Sequence, residues 1–270
     1  SIVEVWPELS GEVVVFSDAN NIYNRGALRA IASNFADESV GAVCGVKRIV
    51  DSSSSDTPVS TGESAYWKFE GFVKQRESMT GSICGAMGEI YAVRREVINP
   101  HSLDDAIDDS LYISLKAVLA GKRLVWEPEA QSFEHASASF SDEFKRKARI
   151  VAAALQTMGK IPQILNPRKS SIWLRMVMHK VLKWFAPVFM IAAFVSAWFL
   201  PSGAFKYAAV GSQVAFYGLA AVNLIPPVAR RRIKVFYLPF YFCLGNFASL
   251  YGIVRWLFGW QPHLWAKVNR

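Results

Sequence analysis

The stretch Glu12-Val13-Val14-Val15-Phe16-Ser17-Asp18-Ala19-Asn20 decides the fold class of this chain. Its β-branched and aromatic run predicts a buried β-strand that ends just before Asp18 and Asn20. In an open α/β sheet, ligands bind in the crevice at the carboxyl ends of the strands. Two oxygen-bearing side chains two positions apart can hold a hard divalent cation there. The same tripeptide is also a good turn and helix-entry sequence, so both interpretations stay open at this point.

The residues after this stretch alternate between strand and helix patterns, as expected of an α/β domain. A Ser-rich loop and a Gly-rich segment interrupt the alternation, and an acidic run precedes one of the helices. In chain order we predict a strand at 41–46, a helix through 63–73, the Gly-rich segment 81–88, a strand at 90–93, a helix from about Asp109, a strand at 123–126, a turn at 127–130 and a helix from about Ser141.

The last third of the chain is strongly apolar. Three stretches, at 182–200, 208–225 and 235–258, are each close to the ~20 residues that cross the hydrocarbon core of a bilayer. Core helices of a soluble protein would show similar stretches, but three in succession favour membrane helices. We therefore expect an integral membrane protein with residues 1–165 as an α/β domain, 166–181 as an interfacial linker helix, and 182–270 as a transmembrane region with about three helices.

Basic residues flank these apolar stretches. The net charge of +8 would suit a nucleic-acid partner, but its cations gather beside the predicted membrane helices, so we expect membrane lipids and no nucleic acid. By the positive-inside rule, the α/β domain lies in the cytoplasm. The topology of the last helix stays open, because three crossings would leave a basic C-terminal tail outside. The cations in question are Arg168, Lys169, Arg175, Lys180 and Lys183 before the first stretch, and Arg230, Arg231, Arg232 and Lys234 before the third.

Read in order, the motifs of the chain resemble the second half of a GT-A-fold catalytic domain from the membrane-bound family 2 glycosyltransferases, which include cellulose, hyaluronan and exopolysaccharide synthases. Asp18-Ala19-Asn20 is similar to the family's strand-end Asp-x-Asp motif, and Cys84-Gly85-Ala86 to the segment that lines its acceptor site. Asp108-Asp109 stands where the family has a Glu-Asp pair, and Arg146-x-x-Arg149-Ile150 where the synthases have Gln-x-x-Arg-Trp. The resemblance covers essentially the whole chain.

The resemblance implies roles for these residues. Asp18 and Asn20 would bind Mg²⁺ or Mn²⁺, and Asp18, Arg149 and Arg146 would bind the diphosphate of a UDP- or GDP-sugar. Asp109 would be the catalytic base for an acceptor hydroxyl, with Asp108 as the alternative. The carboxylates and cations suit this chemistry, because a proton must be removed from the acceptor while charge builds on the departing diphosphate. Cys84, Gly85 and Ala86 would line the acceptor site.

The resemblance also implies an inverting hexosyltransferase for polysaccharide biosynthesis, placed in a bacterial inner membrane with a lipid-linked or polysaccharide acceptor. The family's first strand units, which grip the nucleobase, would lie before Ser1, so we expect an N-terminally truncated GT-A fold or a second chain that supplies the missing part. A non-catalytic membrane subunit or degenerate fragment that keeps the fold is the alternative. A transporter is disfavoured, since the apolar stretches contain few charges.

Overall fold

The structure, a computed structural model, describes residues 2–50, 58–99, 108–135, 139–231 and 233–260. These residues form a five-stranded mixed sheet with the strand order β1-β4-β3-β5-β2. Only β3 and β5 are parallel, whereas the other neighbouring strands are antiparallel. The predicted α/β fold with a mixed sheet is therefore confirmed. The strands are β1 (Val13–Ser17), β2 (Ile22–Tyr23), β3 (Val40–Val50), β4 (Ile90–Arg94) and β5 (Arg123–His135).

Helices cover both faces of the sheet. Helix α2 packs on one face through Ala27 and Ile31, against buried residues of β3, β4 and β5. The larger core lies on the other face, where α4, α5 and the later helices pack. The helices are α1 (Ile2–Val5), α2 (Ala27–Asn34), α3 (Pro58–Met79), α4 (Asp109–Leu119), α5 (Phe140–Lys160), α6 (Trp173–Arg175), α7 (Leu182–Trp198), α8 (Ala204–Val222), α9 (Pro226–Arg230) and α10 (Lys234–Leu257).

The first strand is less buried than its apolar run predicts. Strand β1 stands at one end of the strand order, and it pairs with β4 alone within the described part of the chain. Val15 is consequently 43% exposed, and Ser17 is exposed as well. A continuous run of β-branched residues predicts the strand correctly, but it cannot tell an edge strand from a central one.

The predicted turn at 127–130 is wrong, because these residues belong to the continuous strand β5. Trp126 pairs with Cys44 and Gln131 pairs with Val46, so residues 127–130 all stand opposite Gly45 as a bulge. A Cβ atom on Gly45 would lie 2.5 Å from the carbonyl oxygen of Ala130. The bulge therefore requires glycine at position 45. It also accommodates Pro128, which has no N–H to donate to a neighbouring strand.

Two helices of the C-terminal region are long and apolar enough to cross a membrane. They are 173–198 and 234–257, of which the first joins α6 to α7 through the π-helical segment Met176–Val181. Residues 173–181 of the predicted linker are thus continuous with the first apolar helix. The second predicted span, 208–225, largely forms α8, which is not one of these two candidates. Arg232 and the tail at 261–270 lie outside the described residues.

Helix α10 packs closely against α5. At Gly252 of α10, an added Cβ would lie 2.6 Å from the carbonyl oxygen of Ala148 and 2.9 Å from Cβ of Val151. The missing side chain lets the two helices approach at this crossing, as small residues do in membrane helix packing. Since α5 also borders the cavity described below, this contact connects a candidate membrane helix directly to the site.

Replacing Gly252 with alanine should loosen the crossing of α5 and α10. We expect Gly252→Ala to destabilise the protein by about 1–3 kcal/mol, the usual cost of overpacking a tight contact. Gly218→Ala is the matched control, because Gly218 also lies in a helix but has open space around it. Thermal unfolding in detergent, followed by circular dichroism, measures both variants. Equal melting temperatures for the two variants would contradict the close packing of α5 and α10.

Candidate active site

A cavity of about 1100 Å³ lies between the sheet, α5 and the helices that follow. Its polar end includes Asp18, Asp109 and Arg149, which come from three distant parts of the chain. Its other end is lined mainly by apolar and aromatic residues of α7, α8 and α10, such as Met190 and Phe216. The sheet and the candidate membrane helices therefore share one cavity.

Asp18 directly follows β1 and lines this cavity. Phe16 stacks on Tyr91 of the neighbouring strand, with ring centroids 4.6 Å apart and planes at 5°, which fixes the end of β1. The chain then turns, and the Asn21 N–H donates to the Asp18 carbonyl oxygen at 3.2 Å. The tripeptide is thus a turn as well as a strand end, and this turn leaves the Asp18 carboxylate at the cavity wall.

Asn20 is exposed and is not part of the cavity lining. Its Nδ2 donates to Oε1 of Glu134 at 3.5 Å. This contact uses the nitrogen of the carboxamide, so Oδ1 is the atom that suits a cation. The donor set of Asp18 and Asn20 is one carboxylate and one amide oxygen, both hard ligands that fit Mg²⁺ or Mn²⁺. Water and phosphate oxygens would have to complete the coordination shell.

The two aspartates at the start of α4 differ in their hydrogen bonds, although both line the cavity. Asp108 is the N-cap residue of α4. Its Oδ1 accepts from the Leu111 N–H at 3.1 Å and from Oγ of Ser110 at 2.9 Å. Asp109 is the first residue of the helix, and its Oδ1 accepts from the Ser110 N–H at 2.8 Å. Asp108 therefore has a structural role as a helix cap that Asp109 lacks.

Burial raises the pKa of both carboxyl groups above the ordinary aspartate value. For Asp109 the charge of Asp108 raises the pKa further. For Asp108 the hydrogen bonds from Leu111 and Ser110 oppose the rise. A carboxylate with a raised pKa is a stronger base, and this property is expected of a group that removes a proton from a hydroxyl.

The two arginines of α5 line the same cavity but have different surroundings. Burial lowers the pKa of Arg149, and the charges of Arg146 and Arg255 lower it further, whereas the Asp18 carboxylate raises it. The guanidinium of Arg146 is buried and forms ion pairs with Glu63 and Glu143, the latter at 2.8 Å. The structure thus brings Arg149 into the electrostatic reach of Asp18, while the charge of Arg146 is already balanced.

The predicted acceptor segment lines the cavity only in part. Ala86 contributes to the wall, as do Met87, Gly88 and Glu89, but Cys84 and Gly85 do not. Cys84 is buried, and its thiol donates to Oε1 of Glu77 at 3.4 Å. Gly85 has a φ of +124°, and a Cβ there would lie 2.5 Å from Cδ1 of Leu111. Gly85 therefore shapes the backbone beside α4, and the wall begins one residue later.

The chain matches a known protein family. The family model described as glycosyl transferase family group 2 matches residues 13–260. This chain belongs to that glycosyltransferase family. The match includes Asp18, Asp109 and Arg149 and extends through both candidate membrane helices. None of the curated proteins matches the chain.

Solved structures contain the same fold. The chain is similar to the mannosyltransferase PcManGT from Pyrobaculum calidifontis, solved in complex with GDP-Man and Mn²⁺. The TM-score is 0.63 and the sequence identity is 20%, and the match covers 95% of this chain and 65% of the mannosyltransferase. At this identity the likeness shows the shared GT-A fold. The chain thus spans about two thirds of the length of its structural relative.

The sequence motifs do not identify Tyr91 as a residue of the site. Tyr91 is 1% exposed, and its hydroxyl has no hydrogen-bond partner among the described residues. Burial raises its pKa, and the charges of Asp109, Asp108 and Asp18 raise it further, in that order. Tyr91 therefore lies within electrostatic range of the three carboxylates. The strand pattern at 90–93 predicts that Tyr91 belongs to a strand. No sequence pattern predicts that it lies near the aspartates at the start of α4.

A buried ionic network beneath the cavity was also missed. Lys47 is 3% exposed and pairs with Glu89 at 2.8 Å, with Glu134, and with Glu63 at 3.8 Å. Burial alone would raise the pKa of Glu89, but Lys47 lowers it to about 2. Glu63 also pairs with Arg146. Acidic and basic residues at distant positions give no sequence signal of an ion pair, because only the fold brings them together.

Removing the charge of Arg146 should leave buried carboxylates unbalanced. We expect Arg146→Gln to cost about 3–5 kcal/mol of unfolding free energy, as found when one partner of a buried ion pair is removed. The double variant Arg146→Gln/Glu63→Gln should recover at least about 1 kcal/mol of this loss, because Lys47 keeps Glu89 and Glu134 while Glu143 keeps Lys147 at 3.1 Å.

Arg149→Gln is the matched control, since it lies one turn along the same helix and should destabilise the protein less. Denaturant unfolding in detergent measures all variants. Additive losses in the double variant would contradict the coupling of Glu63 and Arg146.

Proposed function

We propose that this chain contains the catalytic part of an inverting glycosyltransferase. It would move a sugar from a UDP- or GDP-sugar to a lipid-linked or polysaccharide acceptor at the cytoplasmic face of a membrane. The observation that supports this proposal most is the meeting of Asp18, Asp109 and Arg149 in one cavity. A cation ligand, a base and a phosphate-binding cation are the groups that this transfer requires.

The donor diphosphate would lie between Asp18 and Arg149. The Arg149 guanidinium can donate two parallel hydrogen bonds to phosphate oxygens, and the Asp18 carboxylate already acts on it electrostatically. Asp18 and Asn20 would hold Mg²⁺ or Mn²⁺, which stabilises negative charge on the leaving diphosphate. Arg146 would act as a positioning residue, because Glu63 and Glu143 already bind its guanidinium.

The base would be Asp109. As the acceptor oxygen forms its bond to the anomeric carbon, the hydroxyl proton passes to the Asp109 carboxylate. The bond from that carbon to the phosphate oxygen breaks, and its electrons leave with the diphosphate towards Arg149. One displacement of this kind inverts the configuration of the anomeric carbon. Asp108 is less suited to this role, since its carboxylate caps α4.

The membrane placement rests on the two helices long and apolar enough to cross a bilayer. Trp184 and Met190 of the first helix and Leu238 and Phe242 of the second line the cavity together with Asp109. An acceptor held at the membrane could therefore reach the base. The basic residues before each helix support a cytoplasmic catalytic part, and a bacterial inner membrane suits this arrangement.

Asp109→Asn should reduce sugar transfer by about 10²–10⁴-fold, the usual contribution of a general base, and should leave donor binding unchanged. Asp108→Asn is the matched control. It should keep the helix cap, because the side-chain oxygen of asparagine accepts the same hydrogen bond, and it should retain most of the turnover. Radiolabelled sugar transfer and equilibrium donor binding measure the two effects. Full turnover by Asp109→Asn, or a loss found only in Asp108→Asn, would contradict the assignment of the base.

The pH profile gives an independent test of the same residue. Asp109 acts as a base only when it is deprotonated, and burial raises its pKa above the ordinary 3.8. Turnover should therefore fall as the pH is lowered through a value above 3.8, and it should be fully present at higher pH. An acid limb at or below the ordinary aspartate value in kcat/KM would contradict a buried base.

A further inference from the structure

Helix α3 has its polar and apolar faces reversed with respect to a helix of a water-soluble domain. Its buried face carries the charged residues Glu63, Glu70, Lys74 and Glu77. Its outward face carries large apolar side chains, with Phe69 62%, Phe72 57% and Met79 70% exposed. Helices of soluble domains place these residue types the other way round. Nothing in the described part of the chain covers this outward face.

The charges on the outward face are of one sign. The three carboxylates of α3 are all buried, whereas Lys68 and Arg76 are exposed. Lys68, Phe72 and Arg76 follow one another at intervals of four residues and therefore lie on one stripe. The Arg76 guanidinium stands over the Phe72 ring at 5.3 Å. An aromatic and apolar stripe flanked by cations is typical of helices that lie in the interface of an anionic membrane.

A second exposed apolar stripe runs beside the first. Leu174 and Met178 are exposed at the start of the candidate membrane helix 173–198. The opposite side of this helix binds the buried face of α3. The contacts that join them include those from His179 to Glu77 at 2.7 Å and from Lys180 and Lys183 to Glu70 at 3.3 and 3.0 Å. Helix α3 therefore lies alongside the point where the chain would enter the membrane.

We propose that the outward face of α3 lies in the membrane interface, with Phe69, Phe72 and Met79 among the lipid chains and with Lys68 and Arg76 at anionic head groups. The inference rests on the membrane placement proposed above and adds a contact surface within the α/β domain itself. Phe69 also lines the cavity. The mouth of the cavity then opens at the level of the lipid head groups, where an amphiphilic acceptor can enter from the bilayer.

The depth of residue 72 in a bilayer tests this inference. A nitroxide is attached to Phe72→Cys in the full chain, which is reconstituted in phosphatidylglycerol and phosphatidylcholine vesicles. Leu28→Cys is the matched control, because Leu28 is also exposed but belongs to α2 on the opposite face of the sheet. The unsubstituted chain measures background labelling of its three buried cysteines. Power saturation compares collisions of each label with oxygen and with a water-soluble nickel chelate.

We expect the label at position 72 to collide several-fold more with oxygen than with the nickel chelate, and the label at position 28 to show the reverse. Equal nickel accessibility at the two positions would overturn the proposal. Neither result depends on sugar transfer, so an inactive protein with a lipid-exposed residue 72 would overturn the proposed function and leave this inference intact.

The head-group contact is tested in the same assay. Label depth should be greater in vesicles with phosphatidylglycerol than in pure phosphatidylcholine, and Lys68→Gln/Arg76→Gln should abolish this difference. An unchanged difference in the double variant would overturn the role of the two cations.

Discussion

Glu63 binds two buried cations at once, and the arrangement of the site depends on this carboxylate. One cation, Lys47, belongs to β3, and the other, Arg146, belongs to α5. Each buried charge would cost several kcal/mol of unfolding free energy if it had no partner. The strand, α3 and α5 therefore keep one relative position. Arg149 follows Arg146 by one turn, so the same ion pair directs its side chain to the cavity.

The network continues from this point in both directions. Towards the sheet, Lys47 binds Glu134, which accepts a hydrogen bond from Asn20 beside the proposed cation ligand Asp18. Towards the candidate membrane helices, Glu143 accepts a hydrogen bond from the Tyr241 hydroxyl of α10 at 3.1 Å. The polar end and the apolar end of the cavity thus share one set of buried charges. This connection explains how a site built from distant residues can keep its shape next to the candidate membrane helices.

Local patterns predicted the elements of the fold and several residues of the site. The apolar run before Asp18 predicted β1, and the acidic pair predicted the start of α4, since both signals lie within a few neighbouring residues. The pairing of Arg146 with Glu63 joins positions 83 residues apart, and no local pattern contains it. The bulge opposite Gly45 was missed for the same reason, because Glu127 to Ala130 form a turn-like sequence whose strand character comes from β3.

A structure of the protein with a UDP- or GDP-sugar and Mn²⁺ tests the central claim most directly. We expect the cation to bind the Asp18 carboxylate, the diphosphate to accept hydrogen bonds from Arg149, and the Asp109 carboxylate to face the anomeric carbon from the side opposite the diphosphate. A donor bound outside the cavity, or with Asp109 on the same side as the leaving group, would contradict the account.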